Sequence, residues 1–232
     1  MKRYKSFGLV VIIIIFATIT FPTLFTRIEA GKFREDNRSS EAAPLAYIIL
    51  NEEARKVPDF LMRNQDSLYI SNEDYLGKVY VVEFFFTRCP TICPEMTKNM
   101  KRLDAVFGAR NDFGIASFSI DPDNDTPTVL KQYASLYEIQ SSNWHFLTGE
   151  KPKIFDLANT GFNIFASINP EVAGGFEHQG YFALIDKQGF IRSRVDDFGN
   201  PIVYYLGIEE ESPIGISGTE MLLKDIEKLL KE

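Results

Sequence analysis

Val79-Tyr80-Val81-Val82-Glu83-Phe84-Phe85-Phe86, running straight into Thr87-Arg88-Cys89-Pro90-Thr91-Ile92-Cys93-Pro94, is the stretch on which the fold turns. Its first half is β-branched and aromatic, apolar almost throughout, which is the pattern of a strand covered on both faces. Its second half carries the only two cysteines of the chain. From Glu95 to Phe107, the apolar residues Met96, Met100, Leu103 and Phe107 recur at helical spacing. The order is therefore central strand, cysteine loop, helix.

Outward from that core the alternation continues. Phe113 to Ile120 is a second apolar run that stops at Asp121-Pro122, and Asp125-Thr126-Pro127 is a cap-then-proline start for a helix over Thr128 to Tyr137. Asp125 or Thr126 can supply the cap and Asp121 can fix the turn at Pro122; docking a partner or tuning a metal is the alternative use of the two aspartates. Trp144 to Leu147 reads as a short strand closed by Thr148-Gly149, with His145 a packed or outward-facing strand residue. Lys153 to Phe165 has a helical pattern through Ile154, Leu157, Ala158, Phe162 and Phe165. A loop with Asn169-Pro170 and Gly174-Gly175 follows. Tyr181 to Ile185 and Phe190 to Val195 then flank Asp186-Lys187-Gln188-Gly189 as a hairpin. Gly218 to Lys231 sets Met221, Leu222, Ile226, Leu229 and Leu230 on one face of an amphipathic helix. This order predicts an α/β domain of the thioredoxin-like kind, a mixed central sheet flanked by helices. The stretch Asn200 to Ser217 is long for a connection between a hairpin and a helix.

The 232 residues, 45% hydrophobic and 13% aromatic, suffice for one domain and a terminal extension. A net charge of -7 without clustered Lys/Arg excludes a phosphate-backbone footprint, so no nucleic-acid partner is expected. Lys2, Arg3 and Lys5 precede an apolar stretch from Phe7 to Phe25, close to the ~20 residues a bilayer core requires. A cleaved signal peptide is the alternative, but its apolar core is shorter and Ile28-Glu29-Ala30 is a poor cleavage match. No cysteine follows the run, which argues against a lipoprotein anchor. The expected layout is a cytoplasmic N-terminus over 1–6, a transmembrane helix over 7–25, a polar tether over 26–45 and the folded domain over 46–232. The positive N-terminus places that domain outside the cytoplasmic membrane of a bacterium, on a single-pass anchor.

Two cysteines outside the cytoplasm have a plain reading as a structural disulfide. A bridge across three intervening residues closes so short a loop that it stabilises little. A thiol at a strand-to-helix junction also meets orphan N–H groups and a helix dipole that favour the thiolate, with Arg88 adding to the effect. In a regular helix, residues four apart hold their Cβ atoms roughly 5–6 Å apart, whereas a disulfide needs about 3.5–4.5 Å. Two thiolates slightly too far apart to bond easily suit a shared soft cation, which favours copper. Zinc is disfavoured by a donor inventory of two cysteines and two histidines. The candidate third ligand is His178, in Glu177-His178-Gln179-Gly180 just before Tyr181; a surface-loop histidine is the plain alternative.

The segment Phe84 to Pro94, Ser119-Ile120-Asp121-Pro122 leading into Asp125-Thr126-Pro127, Trp144 with Leu147-Thr148-Gly149, and an isolated His178 before a strand together resemble the Sco/SenC family of copper-binding, thioredoxin-like proteins. The resemblance covers roughly Gly77 to Leu230. It implies that Cys89, Cys93 and His178 are ligands of copper, as Cu(I), Cu(II) or both. It further implies that the partner is the copper-binding subunit of cytochrome c oxidase, whose dinuclear copper site the family helps to assemble. Three functions use the same residues: a copper chaperone, a thiol-disulfide oxidoreductase with Cys89 and Cys93 as its redox-active pair, and a redox or copper sensor.

Overall fold

The structure, a computed structural model, describes residues 44–196, 199–208 and 217–232 together with Phe16 and Thr18. Strands β1 (Ala46–Tyr47), β2 (Ile49–Leu50), β3 (Glu53–Ala54), β4 (Leu61–Asn64) and β5 (Tyr69–Ser71) lead into a 3-10 turn over Asn72–Tyr75. Next come β6 (Val79–Phe85), α1 (Cys93–Phe107), β7 (Phe113–Ser119), α2 (Pro127–Leu136) and β8 (Trp144–Thr148). Helix α3 (Lys151–Asp156) passes into a π-helical turn over Leu157–Phe162. The chain closes with β9 (Ala166–Ile168), β10 (Phe176–His178), β11 (Tyr181–Ile185), β12 (Ile191–Ser193), β13 (Tyr205–Leu206) and α4 (Gly218–Lys231).

The main sheet runs β1-β12-β11-β6-β7-β8-β4-β5, with β13 also pairing with β11. β6 is central: parallel to β7 on one side and antiparallel to β11 on the other, while β8 continues the parallel side. The sheet is therefore mixed. Every residue of β6 and β7 is buried, as their apolar runs require when both faces are covered. Successive side chains of β6 point to opposite faces. Phe85 packs on Tyr133 of α2, and its neighbour Phe84 packs on Phe162 of the π-helical turn, so helical segments cover both sides.

Three features differ from the sequence expectation. The helix expected over Lys153 to Phe165 starts at Lys151 and loses α geometry after Asp156; it ends at Asn163 in the left-handed region (φ 54°), and Phe165 is exposed. The Tyr204 hydroxyl donates to the Phe162 carbonyl and holds that end. The loop with Gly174-Gly175 is flanked by a small hairpin, β9 with β10. β1 to β5 carry no sequence signal, because two to four residues are too few to show a period. His145 is packed as expected, its Nδ1 3.2 Å from Asn64 Nδ2 and its ring against Tyr75.

The anchor expected over 7–25 lies outside the described residues except for Phe16 and Thr18, as does the tether over 26–45 except for Pro44 and Leu45. Among the described residues no helix is long and apolar enough to cross a membrane.

Candidate metal centre

β6 ends at Phe85, and a turn over Thr87 and Arg88 carries the chain to Cys89, whose N–H donates to the Phe86 carbonyl at 3.2 Å. α1 begins at Cys93 itself, with Pro94 in its first turn, where a missing N–H costs nothing. Cys89 therefore stands outside the helix. The helical spacing argument does not set its distance from Cys93; the loop does. Both cysteines are buried and unbridged.

His178 reaches them from the β9–β10 hairpin. It is the last residue of β10, not a loop residue, and pairs with Ala166 of β9. Gln179 locks the position: its N–H donates to the Phe165 carbonyl, and its side-chain oxygen accepts from the Phe165 N–H. Gly174, at φ +90°, lets the hairpin loop lie on Phe86, where a Cβ would meet the ring at 2.9 Å. His178 Nε2 is 3.2 Å from Cys93 Sγ, and its Nδ1 is 3.3 Å from the Gln179 carbonyl. The contact with that carbonyl orients the ring so that Nε2 faces the sulfurs. One donor atom from each of Cys89, Cys93 and His178 lies within 4.8 Å of the others, and among the described residues this is the one such His/Cys/Asp/Glu group.

The two thiols are unequal. Cys89 is held well below the ordinary thiol range, chiefly by the hydrogen bond from Cys93, with His178 and Thr91 assisting. Cys93 is pushed up by burial and then by giving its proton to that bond. Arg88 does not contribute as the sequence suggested: its guanidinium is turned to Asp121 at 2.7 Å. The cap of α2 is Thr126, whose hydroxyl accepts from the Val129 N–H. Asp125 instead accepts from Thr87 and Ser119. Nothing in the spacing of the chain reveals that bond, since Asp125 and Thr87 meet only because β6 and β7 are neighbours. Two sulfurs and one imidazole nitrogen, with no carboxylate in the group, form a soft, compact donor set.

A family model described as SCO1/SenC matches residues 50–211. The SCO1 protein homolog of Bacillus subtilis (strain 168) is 39% identical over 136 residues, which are 58% of this chain and 70% of that protein. A SCO1/SenC family lipoprotein from Bacillus anthracis str. Ames superimposes with TM-score 0.63 at 31% identity, over 76% of this chain and 95% of its own. BsSco, a member of the Sco family of cytochrome c oxidase assembly proteins with a disulfide switch, gives 0.60 at 33% identity, over 75% and 93%. Yeast Sco1 with copper bound shares the fold, with TM-score 0.55 at 18% identity over 77% and 90%.

Proposed function

The chain belongs to the SCO1/SenC family, and from that premise we propose that it carries copper as cargo on Cys89, Cys93 and His178. It delivers the ion to the copper-binding subunit of cytochrome c oxidase, reduces that subunit's cysteines, or does both. The working domain lies outside the cytoplasmic membrane on the anchor formed by residues 7–25. The observation that carries the reading is the convergence of the three donor atoms within 4.8 Å. Cys89, whose thiol is held low, ionises more readily than Cys93, which releases its proton when the ion arrives, and the His178 ring presents Nε2 to the sulfurs. Sulfur donors suit Cu(I), and the imidazole keeps Cu(II) tolerable, so one site serves both states.

Metal quantitation and absorption spectroscopy on the full chain in detergent test this. One copper per chain is expected, with a sulfur-to-copper absorption band. Cys93→Ala should lose the band. His178→Ala should lose more than the roughly 10–100-fold in affinity that outer-shell changes cost, while Cys89 and Cys93 still form a disulfide. Wild-type affinity in His178→Ala removes His178 from the site.

The unequal thiols also favour a second reading, a thiol-disulfide oxidoreductase. There the Cys89 thiolate attacks a target disulfide, and Cys93 resolves the mixed disulfide. Turnover with a disulfide-bonded target peptide in the absence of copper distinguishes it from carriage alone; no exchange rules it out.

A further inference from the structure

Copper carriage does not explain why a carboxylate is buried behind the cysteine loop. Asp125 is fully buried in the link between β7 and α2, where the helix cap is already supplied by Thr126. Its two oxygens receive three protons: Thr87 N–H donates to Oδ2 at 3.0 Å, the Thr87 hydroxyl to Oδ1 at 2.5 Å, and the Ser119 hydroxyl to Oδ2 at 2.5 Å. Next to Thr87, Arg88 donates to Asp121 of the same link. The two residues directly before Cys89 are thus both fastened, through side chains, to a segment distant in the chain.

Cys89 itself belongs to no helix or strand. Its place is set by what holds the loop at either end. On the far side Cys93 is fixed by α1, and on the near side the Thr87 bonds to Asp125 act beside the Arg88–Asp121 pair and the bond from the Cys89 N–H to the Phe86 carbonyl. Metal–ligand distances tolerate about ±0.2 Å, and a short loop held at one end only would let the Cys89 sulfur move by more than that. His178 has its own support in β10 and Gln179.

We propose that Asp125 is a positioning residue of the metal centre, fixing Cys89 relative to Cys93 and His178 through its bonds to Thr87. The proposal rests on the copper-carrying reading for its ligand, but the cysteine pair also supplies a readout without copper. Disulfide formation passes two electrons from Cys89 and Cys93 to glutathione disulfide, which leaves as two glutathione thiols, any proton not carried by the cysteine pair coming from solvent, and its equilibrium constant reports how well the sulfurs are apposed.

The test uses the full chain in detergent and four variants. Thr87→Val removes the hydroxyl donor and keeps the shape and the backbone N–H. Asp125→Asn keeps the shape and replaces one acceptor oxygen with a donor. Thr87→Ser retains the hydroxyl, and the fourth variant combines Thr87→Val with Asp125→Asn. Cu(I) affinity is measured by competition with a chromophoric chelator, the Cu(II) absorption band is recorded, and the disulfide constant is measured against glutathione. Thr87→Val and Asp125→Asn are expected to lose about 10–100-fold in affinity, to shift or weaken the band and to lower the disulfide constant several-fold. Thr87→Ser should stay near wild type, and the double variant should be no worse than the weaker single one. A fold-stability role alone would leave the band and the disulfide constant of the folded protein unchanged, so folded variants with wild-type values overturn the proposal. If the wild type binds no copper, the carriage reading falls, and the disulfide constant alone decides: lowered supports the positioning role, unchanged overturns it. If Asp125→Asn does not fold, Thr87→Val decides by the same measurements.

Discussion

Hydrogen bonds from Cys93, His178 and Thr91 lower the Cys89 thiol, while burial at the start of α1 raises that of Cys93. That asymmetry follows from position alone, because Cys93 is sealed in the core while Cys89 accepts hydrogen bonds. Gly174 matters at the same scale. Its φ of +90° and the 2.9 Å approach of an added Cβ to Phe86 mean that Gly174→Ala should strain the loop before β10. A loss of about 1–3 kcal/mol is expected, measured by urea denaturation, and an unchanged midpoint would show that the loop relaxes freely. The three candidate ligands were legible in the sequence, since cysteine spacing and histidine scarcity are visible in one dimension. Asp125, Thr87 and the loss of Arg88 to Asp121 were not, because a side-chain bond between two strands' ends leaves no periodic trace.

Strand β6 carries one acid in an otherwise apolar run. Glu83 is fully buried; the Ser117 hydroxyl donates to its Oε1 at 2.7 Å, Trp144 Nε1–H donates to Ser117, and Oε2 has no partner among the described residues. Burial pushes the Glu83 carboxyl up to about 7, with the Ser117 bond opposing. The folded state thus keeps a proton that the unfolded chain loses near the ordinary glutamate value. This contribution to stability is complete below about pH 4.5 and is lost as the pH rises through about 7, amounting to about 3 kcal/mol in all. Glu83→Gln should flatten the fall in unfolding free energy between pH 5 and pH 8; a variant that falls as steeply as the wild type refutes the assignment. The long elements were readable to within a residue or two at most ends, β6 and β7 from continuous apolar runs, α1 and α4 from helical spacing and α2 from its cap-then-proline start. β9 and β10 were not, and their absence from the reading is why His178 looked like a loop residue.

The two ends of the folded unit meet on one side chain. Arg192 of β12 donates to the Leu45 carbonyl, to Asp186 and to Glu232, so the start of β1, the β11–β12 hairpin and the end of α4 share a single cation. About two turns earlier in α4, Asp225 is buried and accepts from Arg194 at 2.7 and 2.9 Å and from the Tyr205 hydroxyl at 2.8 Å. Asp225→Ala leaves the Tyr205 hydroxyl without this acceptor and removes the carboxylate from Arg194, and should cost about 3 kcal/mol, read as a lowered denaturation midpoint; a shift under a third of that would mean α4 is held by its apolar face alone. By itself the sequence determined the alternation of strand and helix, the strand-to-helix position of the cysteine pair, the family and the three candidate donors, because these depend on residue type and spacing along one chain. Only the tertiary structure decided which strands are neighbours, that Asp125 serves Thr87 and not a helix end, and how near His178 comes to Cys93. Those are distances between segments far apart in sequence, set by packing on both faces of β6 and recorded by no local pattern.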